Sequence, residues 1–126
     1  MTTIRAKQAR GSWIAKLENG WERLGLASDN PWVPVIIEDC SNRIDGRTMI
    51  YRSTKDRSGL EDWWNKPAAA DWRRLMMAGH PILLRKGMDQ ASRTAGKKIA
   101  FFRVSEFSFN DSELMFKVVE RLAECA

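Results

Sequence analysis

Four side chains stand where they could do acid–base or nucleophilic chemistry, at the end of a predicted strand and beside the end of a predicted helix. Glu38, Asp39 and Cys40 are consecutive, and His80 is the single histidine. A cysteine beside a histidine could form a nucleophile and its base, and two carboxylates could share a proton or a metal ion. Neighbouring residues of a strand point to opposite faces, however, so Glu38 and Asp39 cannot easily act together. His80 follows Gly79 and precedes Pro81, which is typical of the end of a helix, where an imidazole caps carbonyl groups.

The sequence contains none of the following motifs of catalytic, metal or cofactor sites. Cys40 and Cys125 are far apart and match no zinc spacing. There is no Gly-x-Ser-x-Gly, no His-Glu-x-x-His and no dinucleotide-binding fingerprint. These features favour a non-catalytic protein without a metal or a cofactor, and an enzyme that uses Cys40, Glu38 or His80 ranks third among the hypotheses.

Cations, hydroxyls and glycines are mixed in residues 85–98, and such groups suit phosphate contacts. The segment is not a P-loop, because Gly96 and Lys97 lack a glycine at position 91 and a hydroxyl at position 98. We therefore predict a generic phosphate-contacting loop. The alternative is an ordinary solvated connection.

Positive charge is concentrated in residues 1–17, 42–57 and 85–98, and the whole chain carries a formal net charge of +5. If these segments meet on one face, they would form a site for an anionic partner; scattered over the surface, they would not. The residues predicted to contact nucleic-acid phosphates are Arg5, Lys7, Arg10, Arg43, Arg47, Arg85, Lys86, Arg93, Lys97 and Lys98.

Six tryptophans offer candidates for aromatic anchors. Trp13 and Trp21 fall on the apolar face of a predicted helix and are expected in the core. Trp63 and Trp64 would point roughly 100° apart on a helix, so both cannot be equally buried. Trp63, Trp64 and Trp72 are therefore the candidates for an exposed ring that stacks a base or anchors a protein partner. The alternative for the first two is that they cover the edge of the sheet.

Hydrophobic periodicity and capping signals predict alternating helices and strands. In the first half of the chain, the predicted elements are a helix over 12–24, strands over 33–39 and 48–52 that pair antiparallel, and a helix that opens with a capping box at 58–61. A helix over 68–78 follows, with Pro67 at a kink or at its first turn and Gly79 at its end. The remaining elements are a strand over 82–84, a short helix within 89–95, a strand from 99, and a helix capped by Asn110 that covers 114–122.

This order, α-β-β-α-β-(α)-β-α, predicts an α+β fold. We expect one small mixed or antiparallel sheet of about four strands, with helices packed mainly on one face. The strand from 99 is expected to be central, because both of its faces are apolar. Residues 1–11 are predicted to be a basic, flexible arm, and residues 12–126 a single α+β domain.

The resulting hypothesis is a small basic protein that binds nucleic acid through basic loops and an exposed tryptophan. The alternative is a protein-interaction module, such as an inhibitor or adaptor of mobile-element origin, and a homo-oligomer is left open. We expect no membrane partner, because the sequence has no run of about 18 apolar residues. Two distant cysteines and no secretory signal predict a cytoplasmic protein.

Overall fold

The computed structural model of the protein describes residues 3–9, 13–38, 43–54, 67–87, 98–109 and 113–126. These residues form nine strands, one α-helix and one turn of 3₁₀ helix. The strands are β1 (Thr3–Ile4), β2 (Ala6–Ala9), β3 (Ile14–Leu17), β4 (Trp32–Glu38), β5 (Arg43–Ile44), β6 (Ile50–Thr54), β7 (Ile82–Lys86), β8 (Lys98–Phe109) and β9 (Glu113–Cys125), the helix α1 is Pro67–Met77, and the 3₁₀ turn is Trp21–Leu24.

The strands form one sheet that nearly closes into a barrel. Their order is β2-β3-β4-β7-β8-β9-β6-β5, and β1 pairs with β9. Only Arg5 separates β1 from β2, so the N-terminal segment joins both sides of the ring: Ile4 lies opposite Cys125 of β9, and Ala6 lies opposite Leu17 of β3. The β4–β7 and β1–β9 pairs are parallel and the others antiparallel.

Two hydrophobic clusters cover the two faces of the sheet. On β7, Leu83 belongs to one cluster, whereas Ile82 and Leu84 belong to the other, as the alternation of a strand requires. The first cluster, which we call the barrel core, consists of Ile4, Ala6, Ala15, Leu17, Leu24, Val33, Val35, Leu83, Phe101 and Ala123. The second, which includes Ala69, Trp72 and Met76 of α1, packs this helix against the other face.

The predicted α+β fold is wrong, because the structure is mostly strand and contains one α-helix among the described residues. The predicted C-terminal helix is instead β9. Leu114, Phe116 and Val118 are buried there while Lys117 and Val119 are exposed, which is the period of two expected for a strand. The backbone of β9 forms its hydrogen bonds with β8, β6 and β1, whereas a helix would have formed them within itself.

The helix predicted over 12–24 is also wrong. Ile14–Leu17 is a strand between β2 and β4, with Lys16 exposed and its neighbours buried. The chain then turns at Gly20, whose φ of 72° lies in the left-handed region. The apolar spacing that resembled one helix is therefore divided between a strand and the 3₁₀ turn. Within the predicted arm of residues 1–11, Thr3–Ile4 and Ala6–Ala9 are strands, and the side chain of Ile4 is fully buried.

The strands predicted over 33–39 and 48–52 exist as β4 and β6, but they do not pair with each other. β4 lies between β3 and β7, and β6 lies between β9 and β5. Pro34 stands one residue before the β4–β7 ladder begins at Val35, so its missing N–H takes no bond from that ladder.

Several local predictions are confirmed. The helix α1 begins at Pro67, and its end has the geometry expected for a glycine cap. The N–H of Gly79 (φ 81°) donates to Met76 O at 3.1 Å, and the N–H of His80 donates to Leu75 O at 3.1 Å. β8 lies between β7 and β9, as its apolar faces predicted. The capping box at 58–61, the short helix within 89–95 and the Asn110 cap lie outside the described residues.

Within the described ranges, no helix has the length and apolar character needed to cross a lipid bilayer.

Candidate functional site

A groove with a volume of about 510 Å³ opens where the end of β3 meets the start of β4. Its lining combines two tryptophans, two lysines and one carboxylate with smaller groups. The lining residues are Lys7, Lys16, Leu17, Glu18, Trp21, Ser28, Pro31 and Trp32.

Strand register places three of these side chains in one row. Lys7 of β2 lies opposite Lys16 of β3, and Lys16 lies opposite Trp32 of β4. The neighbours Ala6 and Leu17 belong to the barrel core, so alternation turns both lysines to the outer face. Side chains directly opposite each other have Cβ atoms about 5 Å apart. The two ammonium groups can therefore act on the same anion.

Trp32 is half-buried, and both its ring and its backbone carbonyl make contacts. Lys16 Nζ lies 5.8 Å from the centroid of the Trp32 ring, which is within the range of a cation–π contact. The Trp32 carbonyl accepts a hydrogen bond from His80 Nδ1 at 2.7 Å. Because a carbonyl only accepts, Nδ1 carries the hydrogen in this bond. His80 thus fixes the backbone of a groove residue on β4, whereas the sequence predicted that it caps carbonyls at the end of the helix.

Trp21 forms the wall of the groove on the 3₁₀ turn. Its ring is half-buried and packs partly against the barrel core. The turn is bounded by Gly20 and Gly25, with φ of 72° and 75°, and the N–H of Leu26 closes it on Trp21 O at 2.9 Å. Trp21 therefore has the expected core contact and also lines a cavity, which the sequence did not predict.

Glu18 places a carboxylate in the groove, next to the lysines. Its backbone N–H donates to Arg5 O at 2.8 Å, and the N–H of Arg5 donates to Asn19 Oδ1 at 2.8 Å. The side chains of Glu18 and Arg5 are exposed, and in the part of the chain that the structure describes the Glu18 carboxylate makes no ion pair. This carboxylate is available to accept hydrogen bonds from a ligand.

The structure brings two of the three basic segments together at β2. Lys98 Nζ donates to Ala6 O at 2.7 Å, next to Lys7, and Arg85 lies opposite Lys98 on the β7–β8 pair. Lys86 is held by Glu38 at 3.0 Å. The segment 85–98 therefore begins and ends near the strand that carries Lys7.

The third basic segment lies at the other end of the strand order. Arg43 of β5 is opposite Arg52 of β6, and Arg47 is exposed in the turn between these strands, where its N–H donates to Asp45 Oδ1 at 2.8 Å. None of its described residues, 43–54, lines the groove. Arg10, Arg93 and Lys97 lie outside the described residues.

The catalytic candidates are occupied by structural contacts where the structure describes them. Glu38 Oε1 accepts from Lys86 Nζ at 3.0 Å, and Glu38 Oε2 accepts from the N–H of Ile44 at 2.9 Å. Asp39 and Cys40, and with them the predicted pairing of Cys40 with His80, lie outside the described residues. Among the described side chains, no three of the types His, Cys, Asp and Glu gather into a metal site.

Cys125 lies in a cationic corner at the seam between β1 and β9. Burial raises the pKa of its thiol, and the charges of Lys98 and Arg85 and a backbone hydrogen bond to Ala6 act in the opposite direction. Because burial prevails, the thiol stays protonated at neutral pH, and a reactive thiolate is not favoured.

Of the predicted aromatic anchors, Trp72 is not exposed. Its side chain is 2 % exposed, its Nε1–H donates to Val35 O at 3.1 Å, and its ring meets Phe107 edge-to-face at 5.7 Å. Trp72 therefore fixes α1 to the sheet and does not offer a stacking surface. Trp63 and Trp64 lie outside the described residues.

Lys16 and Trp32 are groove residues that sequence reasoning missed. The predicted helix over 12–24 contains Lys16, and nothing in that helix connects Lys16 to Trp32. The signal for Trp32 was its position between Pro31 and Pro34, which puts a large aromatic residue at the start of a strand beside a loop.

No protein-family model matches the chain, and neither a curated protein nor a solved structure matches it.

Proposed function

We propose that this protein is a small, non-catalytic nucleic-acid-binding protein that uses the groove between β3 and β4. The lysines would contact phosphates, and the tryptophans would stack a base. The observation that carries the proposal is the row of Lys7, Lys16 and Trp32 across three adjacent strands.

The lysine pair is the first support for an anionic ligand. Two like charges directly opposite each other on neighbouring strands destabilise a sheet. Lys7 and Lys16 are both exposed, and neither makes an ion pair within the described ranges. A phosphate between the two ammonium groups would remove this repulsion, and counterion release would add to its affinity.

The two half-buried tryptophans are the second support. Stacking of a base on an exposed aromatic ring contributes about 1–3 kcal/mol per base. Trp21 and Trp32 both line the groove, and the second is in contact with a lysine. An aromatic surface beside cations is the arrangement that single-stranded nucleic acid requires.

A protein partner is the competing hypothesis, and the exposed apolar residues outside the groove bear on it. Met49 and Val119 are 41 % and 53 % exposed, and the N–H of Val118 donates to Met49 O at 2.8 Å, which brings the two side chains into one region. Exposed apolar residues are nevertheless common on monomers. The groove, which combines shape, charge and aromatic surface, supports nucleic acid better. The proposal includes a cytoplasmic location, which the two widely spaced cysteines support.

The test measures the fluorescence anisotropy of a labelled oligonucleotide of ~11 nucleotides, once as a single strand and once as a duplex. Each titration is done at about 50 and 200 mM salt. We expect binding of the single strand that weakens with salt. Trp32→Ala should weaken it about 5- to 150-fold, the loss of one stacked base, and Trp32→Phe should weaken it less.

The matched control is Phe109→Ala, which removes an aromatic ring that is 37 % exposed and does not line the groove. Circular dichroism would verify that each variant is folded. Absence of binding at low salt, or equal losses for Trp32→Ala and Phe109→Ala, would contradict the proposal.

A further inference from the structure

We propose that the groove accepts one unpaired base and that Glu18 selects it by the hydrogen-bond donors on its edge, with guanine preferred over thymine. This inference rests on the proposed function and specifies the ligand of the same site.

The shape of the groove argues for a single base. A volume of about 510 Å³ falls in the range of small-molecule sites and is suited to one nucleotide. A base inside a duplex is covered on both faces by its neighbours and cannot stack on a tryptophan unless it leaves the helix. The ligand that fits a concave aromatic groove is therefore a single strand, or a base extruded from a duplex.

The position of Glu18 gives the groove a polar group that can read a base. Glu18 follows the last residue of β3, two positions after Lys16, and its backbone is fixed by the hydrogen bond to Arg5 O. The two cationic side chains of the lining lie on the strands beside it. If the phosphate of a nucleotide lies at the lysines and its base stacks on the tryptophans, the edge of the base lies near the carboxylate of Glu18.

The chemistry of a carboxylate decides which base it favours. An ionised carboxylate only accepts hydrogen bonds. Guanine presents two adjacent donors, N1–H and the N2 amino group, which match the two carboxylate oxygens. Cytosine and adenine offer one amino group, and thymine offers one N–H between two carbonyl oxygens that would face the negative charge. The expected order of affinity is guanine first and thymine last.

Ser28 does not impose a competing preference. Its hydroxyl, which also lines the groove, can donate or accept. Among the lining side chains, Glu18 is therefore the one that can only accept hydrogen bonds, and selectivity for the donors of a base should depend on it.

The experiment compares oligonucleotides of ~11 nucleotides that differ at one central position, guanine, hypoxanthine or thymine, in an otherwise all-thymine strand. For the unmodified protein we expect guanine to bind about 5- to 150-fold more tightly than thymine, the discrimination of a good bidentate pair. Hypoxanthine lacks the N2 amino group and should be intermediate.

The variant Glu18→Gln replaces one acceptor by a donor and should bring guanine and thymine close to equal affinity, while binding of the all-thymine strand is retained or improved. Glu22→Gln is the matched control, because Glu22 is exposed on the adjacent 3₁₀ turn and does not line the groove. It should keep the preference for guanine.

The outcomes separate this inference from the proposed function. If the all-thymine strand binds with salt dependence but guanine gives no advantage, or if Glu18→Gln keeps the full preference, the role of Glu18 is refuted and the binding function stands. If no strand binds at about 50 mM salt, both are refuted.

Discussion

Replacing Lys7 and Lys16 with glutamine should weaken the salt dependence of nucleic-acid binding by a calculable amount. Each phosphate contact contributes about 0.7 to the slope of log affinity against log salt for a single strand, so two contacts contribute about 1.4. Between 50 and 200 mM salt, a fourfold change, the affinity of the unmodified protein should therefore fall about sevenfold more than that of the double variant. Anisotropy titrations at several salt concentrations would measure both slopes.

The matched control for this slope is Lys117→Gln. Lys117 is an exposed lysine in the middle of β9, opposite Ser105 and Ile50, and it does not line the groove. It should leave the slope close to that of the unmodified protein. A double variant with an unchanged slope, or a Lys117→Gln variant with the same loss, would refute the assignment of Lys7 and Lys16 to phosphate contacts.

The same lysine pair makes a prediction about the unliganded protein. Lys7→Gln should raise the free energy of unfolding by about 0.2–1 kcal/mol at low salt, because it removes the repulsion across β2 and β3. The gain should shrink as salt is added. Lys16→Gln should gain less, because it also loses a cation–π contact with Trp32 of about 0.5–1 kcal/mol. Urea unfolding at two salt concentrations measures both, and a Lys7→Gln variant less stable than the parent at low salt would contradict the reasoning.

Two further predictions concern stability. Gly20→Ala and Gly25→Ala each force an alanine into a left-handed conformation, which costs about 1–2 kcal/mol. At Gly20 the new Cβ would also lie 2.8 Å from Ile4 Cγ1, whereas at Gly25 no atom lies within 4 Å of it. Gly20→Ala should therefore cost about 1–3 kcal/mol more in urea unfolding, and equal losses would show that the contact with Ile4 relaxes freely. The pKa of the Cys125 thiol is raised by burial above its ordinary value of 9.0, so its contribution to stability is complete below that pH and is lost as the pH rises through the folded-state pKa. Between about pH 8 and pH 10, the free energy of unfolding should fall less for Cys125→Ala than for the parent protein. Identical falls in the two proteins would contradict this prediction.

The sequence predicted those parts of the fold that depend on local signals. The end of α1 at Gly79 needs a residue with positive φ, and the start of α1 accepts Pro67 because the first N–H groups of a helix have no partner within it. Both conditions are satisfied within a few residues, and both predictions are confirmed. The apolar run at 82–84 likewise indicated a strand, and the run from 99 indicated a strand covered on both faces.

The prediction failed where one pattern fits two periods. Leu114, Val118 and Leu122 recur at helical spacing, yet Leu114, Phe116 and Val118 also recur at strand spacing. Register shifts in the β8–β9 pair, where extra residues interrupt the alternation, hid the strand period further. A helix would have satisfied its own backbone, whereas the strand obtains its partners from β8, β6 and β1.

The candidate site depends on strand pairing in the same way, although its strands are consecutive in the sequence. The sequence identified Arg5 and Lys7 as exposed cations at one end of the chain, and it excluded the familiar catalytic and metal motifs. Lys7, Lys16 and Trp32 form a row only because three strands that follow one another in the sequence pair side by side in one register. Composition, charge and helix ends are properties of the local chain, and the sequence by itself determined them. Which segments became strands, and which side chains meet across those strands, was decided by the tertiary structure, because a strand completes its hydrogen bonds with other segments and not within itself.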